Sequence, residues 1–314
     1  MLRFFLSRVG QTIAVLFTVS VIIFVLMRLI PGDPILQILG DDFTKEAYER
    51  LRTKLGFDRS IVTQYVIWLQ AILQGDFGNS YLTHERVSRL VWDAFVPTLI
   101  LVVASMIVGV LVAVPSGIVA AMRKDSAWDW GSMGFAIFVY SMPSFWKGII
   151  LIWIFSVHLR WFPAVGYVHP WDDFWNSMWR LVLPAITLGT FFSGLVARII
   201  RSSLLEVLDQ DYIKAARARG VRRAALVYRH ALANALIPVV TVIGLQFGTL
   251  LGGAVLTETV FGIPGMGRLT VAAILNRDYA IVQGAILIGV FAVVVVNLAV
   301  DLTYAFLNPR IRVA

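Results

Sequence analysis

The sequence predicts an all-α, polytopic membrane protein with six transmembrane helices, and three observations carry that expectation. The 314 residues are 59% hydrophobic and only 15% charged, with a mean hydropathy of +0.80. Such a chain has too little polar surface to be dissolved by water. Apolar runs of the length that crosses a bilayer, about 20 residues each, recur at 9–30, 97–121, 130–157, 181–200, 236–256 and 281–306. Basic residues gather on alternate connections between those runs, as the positive-inside rule requires.

Arg3 and Arg8 open the first run as they would a signal peptide. The run is too long for one and no small-residue cleavage site follows, so it is expected to remain as an anchor. Residues 1–30 are therefore a cytoplasmic start and a first helix, and 31–96 form the one larger extracytoplasmic segment. Within it, a charged helical pattern from Thr44 to Leu55 stops at Gly56. Ile61, Tyr65, Trp68, Leu69, Ile72 and Leu73 repeat at helical spacing over a stretch too short to span. That stretch reads as an amphipathic helix at the membrane interface. Residues 97–306 hold the other spans and a cytoplasmic loop at 201–235, and 307–314 form a cytoplasmic tail.

With the N-terminus inside, Arg3, Arg8, Arg123, Lys124, Arg198, Arg201, the stretch from Lys214 to Arg229, Arg310 and Arg312 fall in the cytoplasm. The short outer loops hold Arg160, Arg180, Arg268 and Arg277. Both chain ends are thus expected in the cytoplasm. The 31–96 segment exceeds the rule's useful length of about 60 residues, so its charges do not count. The formal charge of +8 reports this topology and contact with anionic lipid, not nucleic-acid binding.

Zero cysteines exclude disulfides, thiolate metal sites and a cysteine nucleophile. His84, His158, His169 and His230 are scattered, and none has the spacing of a helical metal pair. No metal or cofactor is expected on this chain. The nearest approach to a phosphate loop, Gly262 to Leu269, has Arg268 and Leu269 where Lys and Ser or Thr would be needed.

Inside the spans, Pro143 should kink the third helix and free carbonyls toward a cavity. Lys147 lies one turn on. An ionisable group at such depth faces protein or water, so it either meets a substrate carboxylate or snorkels to the outer boundary. Pro143, Lys147 and Gln246 are the candidates for a translocation path. Gly244, Gly248 and Gly252 line one face of the fifth span and favour close packing. Arg28 and Arg198 are expected to snorkel, Asp301 to pair with Arg310, and Glu258, Arg268 and Asp278 to lie solvated in an outer loop.

The segment from Asp209 to Pro238, DQDYIKAARARGVRRAALVYRHALANALIP, is too long and too helical for a plain connector. Tyr212 to Arg219 favours helix, with Ala215, Ala216 and Ala218 leaving a nearly bare backbone surface. Gly220 permits a left-handed turn, and helical pattern resumes from Val221 to Leu232. Two readings stand: a rigid knob for a partner groove, or a basic helix resting on anionic headgroups.

Lys214-Ala215-Ala216-x-x-x-Gly220 resembles the E-A-A-x-x-x-G signature of bacterial ABC importer permeases. The surrounding DYIKAARARG, RHALANALIPVVTVIGLQFG, GRLTVAAILNRDY and DLTYAFLNPRIR are similar to the dipeptide and oligopeptide permease family, as are PGDP, QGDFGNS, SMPSFWKG, WFPAVG and LPAITLG. The likeness covers nearly the whole chain. Two positions depart from the general signature: Lys214 replaces its acidic first residue, and His230-Ala231-Leu232-Ala233 stands for its later I-x-L-P piece.

The resemblance implies a non-catalytic, multi-pass subunit of the bacterial inner membrane that pairs with a second homologous permease subunit. Asp211, Lys214, Ala215, Ala216, Arg217 and Gly220 would dock on one of two cytoplasmic ATPase subunits, which bind the ATP and Mg. An extracytoplasmic substrate-binding protein would deliver dipeptides or oligopeptides; nickel complexes, glutathione and opine-like compounds are the alternatives. An ion-coupled carrier would show inverted repeats, and an intramembrane enzyme a catalytic constellation at depth. Neither is visible in the sequence.

Overall fold

Each long apolar run folds as helix, because a backbone surrounded by hydrocarbon has only its own carbonyls to bond. The computed structural model describes residues 2–29, 34–39, 43–54 and 56–307. Pro31, Gly32 and Asp33 of the PGDP motif, and the tail beyond Leu307 with Arg310 and Arg312, lie outside the described residues. The expected pairing of Asp301 with Arg310 falls there too.

In chain order the helices are α1 (Leu2–Leu29), α2 (Pro34–Leu39), α3 (Lys45–Lys54), α4 (Ile61–Leu73), α5 (Val87–Met122) and α6 (Ala127–Ser141). Then come α7 (Ser144–Leu151), which runs on as a π-helical turn over Ile152–His158, and α8 (Phe174–Leu208). After α9 (Asp211–Ala218) and α10 (Arg223–Ala225), a second π turn at Leu226–Ala231 leads into α11 (Leu232–Phe261), α12 (Met266–Leu275) and α13 (Tyr279–Leu307). Among the described residues no strand forms, and an isolated bridge joins Asn79 to Arg86.

Among the described residues, five helices are long and apolar enough to cross a membrane. The third expected span is not a kinked rod but two helices, Ala127–Ser141 and Ser144–His158, bent by 103°. Pro143 lacks an N–H to continue α6 and forces the preceding residue out of helical geometry; Met142 accordingly sits at φ −75°, ψ 129°. Proline alone does not explain the break, since Pro97, Pro115, Pro184 and Pro238 are carried inside continuous helices.

The chain divides into two compact units, one made of Pro97–Pro264 with the stretch from Val295, the other of Leu2–Val96 and Gly265–Val294. In the first, α8 is the central helix, and glycines let its neighbours approach. A Cβ on Gly109 of α5 would collide with the Phe192 ring and stand 2.7 Å from the Gly189 carbonyl. One on Gly117 would meet the Ala197 carbonyl at 2.7 Å, and one on Gly194 the Ala136 carbonyl of α6 at 2.5 Å. Backbones this close gain dispersion contacts that larger side chains would forbid. The expected stripe on α11 is only partly of this kind. Gly244 abuts Val300, whereas a side chain at Gly252 would meet nothing within 4 Å.

Several buried charged groups in this unit are paired. Arg201 of α8 grips Asp129 of α6 with two bonds, Nε to Oδ1 at 2.7 Å and Nη2 to Oδ2 at 2.6 Å. Glu258, expected to be solvated, is instead fully buried in α11, where Thr98 Oγ1 donates to its Oε1 at 2.5 Å.

In the second unit α4 packs on α1. Ser20 and Tyr65 share a hydroxyl bond of 2.9 Å, and Phe24 contacts the rings of Tyr65 and Trp68. Arg28 does not snorkel away: its Nε and Nη2 donate to Gln64 Oε1 at 3.1 and 2.9 Å, and its guanidinium covers the Phe24 ring. Asp278 is likewise not solvated but 1% exposed. It accepts from Ser80 Oγ at 2.5 Å and from the Tyr81 N–H at 3.1 Å. Burial pushes the neighbouring Tyr81 phenol up to about 12.

Gly189→Leu is expected to separate α5 from α8 and lower stability by about 1–3 kcal/mol, the usual range for overpacking. Thermal unfolding in detergent checks this, with Gly252→Leu, at the open position, expected to be far milder.

Candidate functional site

The elbow after α8 is built from ordinary capping chemistry. Asp209 closes α8 with its N–H toward the Glu206 carbonyl at 3.3 Å. Gln210, extended at φ −68°, ψ 148°, starts α9 in a new direction. The eight residues of α9 are strongly two-sided: Ile213 and Ala216 are buried, while Tyr212, Lys214, Ala215, Arg217 and Ala218 are exposed. Its buried side packs on the π turn that contains buried Leu226, Val227 and Ala231.

Gly220 ends α9 at φ +84°. Its N–H donates to the Arg217 carbonyl at 3.0 Å and the Val221 N–H to the Ala216 carbonyl at 3.3 Å, the paired closure of a Schellman cap. Nothing lies within 4 Å of an added Cβ there. Glycine is therefore required by the left-handed backbone and not by crowding.

Two further bonds root the elbow. Asn234 Nδ2 donates to Tyr212 Oη at 2.9 Å, and Ser203 Oγ to the Ala235 carbonyl at 2.9 Å. An open cleft of about 440 Å³ beside α9 is lined by Leu208, Arg217, Val221, Leu226 and Val227. Lys214 approaches Asp211 at 3.6 Å, both well exposed, a pair too solvated to shape the helix. The outward surface thus consists of small alanines flanked by Tyr212, Lys214 and Arg217. It offers a partner close backbone approach and charge, and no nucleophile. Among the described residues, no group of three or more His, Asp or Glu could hold a metal ion.

The candidates for a translocation path are placed differently. Pro143 caps α7 at the break, and the Lys147 N–H bonds its carbonyl at 3.1 Å. Lys147 is only 6% exposed. Its Nζ donates to Thr190 Oγ1 at 3.0 Å and to the Val139 carbonyl at 3.4 Å. It therefore neither snorkels nor faces open space; it braces the bend against α8 and takes up a carbonyl left unpaired at the end of α6. Gln246 lies half-buried on α11. Sequence reasoning missed Thr190, Asn234 and Asp129, whose importance lies in partners far along the chain.

Helices of spanning length and composition define a polytopic membrane protein. In structure, the chain is similar to one of the MetNI methionine ABC transporter in its inward-facing conformations. The TM-score is 0.57 at 17% identity, covering 71% of this chain and 96% of that one. The chain belongs to the family of binding-protein-dependent transport system inner membrane components, whose model matches residues 113–313; the model for the N-terminal part of such membrane components matches 1–103. It is accordingly a multi-pass protein of the bacterial inner membrane. The dipeptide transport system permease protein DppB of Escherichia coli is 40% identical over 341 residues, covering 99% of both chains. DppB of Alkalihalophilus pseudofirmus is 38% identical over 332 residues, covering 99% of this chain and 100% of its own.

Lys147→Met should leave the Val139 carbonyl without its donor and cost about 1–3 kcal/mol. The expected result is a lower unfolding temperature in detergent; an unchanged one would show that the brace carries no weight.

Proposed function

We propose that this chain forms half of the translocation pathway of an ATP-driven importer of dipeptides or oligopeptides, itself non-catalytic, and that α9 is its handle for a separate ATPase. The observation that carries the proposal is the elbow: a short helix with its apolar side seated on the chain and its alanine side bare, locked at both ends. A helix that merely rested on lipid headgroups would need neither a Schellman closure nor a Tyr212–Asn234 tie.

Asp211, Lys214, Ala215, Ala216, Arg217 and Gly220 are proposed as the coupling residues. Ala215 and Arg217 face the ATPase, Ala216 seats the helix, and Gly220 sets its exit angle. ATP and Mg would be held by two such partner subunits, a second homologous permease subunit would complete the pathway, and an extracytoplasmic binding protein would deliver the solute. The peptide substrate rests on the relatives named for dipeptide transport. Pro143, Lys147 and Gln246 are proposed for the pathway. Support for them is the break at Pro143, which marks where the third span can swing; Lys147 would reach solute only when that bend opens.

Gly220→Val places a β-branched residue at positive φ, a strain of about 1–2 kcal/mol, with no clash to confuse the result. In proteoliposomes of the whole transporter, uptake of a dipeptide delivered by its binding protein should fall about tenfold while ATP hydrolysis persists. Normal uptake would refute the docking role.

A further inference from the structure

An open cleft of about 490 Å³ lies between α6 and α8, with Met133, Ile137, Tyr140 and Leu195 on its walls and Arg198 and Arg201 at one end. The arginine end is the one that the basic-residue asymmetry assigns to the cytoplasm. Toward the other end Tyr140 stacks on Phe191, ring centroids 5.3 Å apart. Phe191 stands about 10 Å along α8 from Arg198, at roughly 1.5 Å per residue. The cleft therefore passes from charge to hydrocarbon over the depth at which a phospholipid does.

The two arginines are not equivalent. Arg201 is committed to Asp129 by its two short bonds. Arg198 is exposed, and among the described residues no ion pair or hydrogen bond engages its guanidinium. With Asp129 and Arg201 neutralising each other, the mouth keeps the positive charge of Arg198.

We infer that this cleft seats an anionic phospholipid of the cytoplasmic leaflet, its phosphate on Arg198 and an acyl chain along Ile137, Tyr140 and Leu195. Basic pockets between spanning helices on that side suit such headgroups. Free phosphate would gain nothing from the apolar walls. A peptide's carboxylate could meet Arg198, but its ammonium would find the carboxylate at this mouth, Asp129, already bound to Arg201. The inference does not depend on which solute the transporter carries.

The test is thermal unfolding of the full chain with its copurifying partners in detergent, titrated with dioleoylphosphatidylglycerol, dioleoylphosphatidylcholine, inorganic phosphate or dialanine. Phosphatidylglycerol should raise the midpoint saturably, and the other three should not. Arg198→Gln, at an exposed position that should fold normally, should weaken the phosphatidylglycerol effect about five- to tenfold. Leu195→Trp should do the same by filling the cleft with the charge intact, whereas Arg229→Gln, an exposed arginine elsewhere, should change nothing. An unchanged response in Arg198→Gln would overturn the proposal. So would phosphate or dialanine matching phosphatidylglycerol, since the site would then be a plain anion site or a solute site.

Discussion

The close approach of α5 and α6 to α8, permitted by glycine, is the constraint on which the first unit depends. Hydrocarbon supplies no hydrophobic drive between spanning helices, so packing and internal polar bonds must hold them. Gly109, Gly117, Gly189 and Gly194 bring main chains within direct contact. Once they do, polar groups on α8 reach their partners: Thr190 the Lys147 ammonium, Arg201 the Asp129 carboxylate, Ser203 the carbonyl of Ala235. The same helix ends at the elbow. The proposed handle would therefore act on a rod that contacts α5, α6, α7 and α11.

The break at Met142–Pro143 is held by chemistry and not by proline alone. Ending α6 inside the membrane leaves carbonyls with no water to bond. Lys147 supplies a donor to one of them and also donates to Thr190 Oγ1. A buried lysine in this role is structural in the conformation observed, and a pathway role requires that conformation to change. Asp129 and Arg201 follow the same rule at the other end of α6, since removing Arg201 would strand the buried Asp129 carboxylate.

Much of this was legible in the residues. Five of the six apolar runs form helices of spanning length and the run at 130–157 a bent pair, and the elbow helix expected from Tyr212 to Arg219 forms at Asp211–Ala218, with Gly220 in the left-handed turn foreseen for it. Local patterns announce local structure. What remained hidden is set by distant partners: Asp129 and Arg201 are 72 positions apart, Thr98 and Glu258 160, Ser80 and Asp278 198. An acid after an apolar run reads as a solvated loop residue when its hydroxyl donor is elsewhere in the chain. The glycines of α5 and α8 show no regular spacing to single them out, and the regular stripe on α11 proved the weaker contact.

Because the sequence has no cysteine, a single introduced thiol reports one position cleanly. Ala215→Cys, on the bare face of α9, should crosslink to the ATP-hydrolysing partner in the assembled transporter, with a yield that changes between nucleotide-free and ATP-bound states. Ala216→Cys, on the seated face, should not. A thiol at 215 that reacts only with lipid-soluble or bulk reagents, and never with an ATPase subunit, would contradict the account.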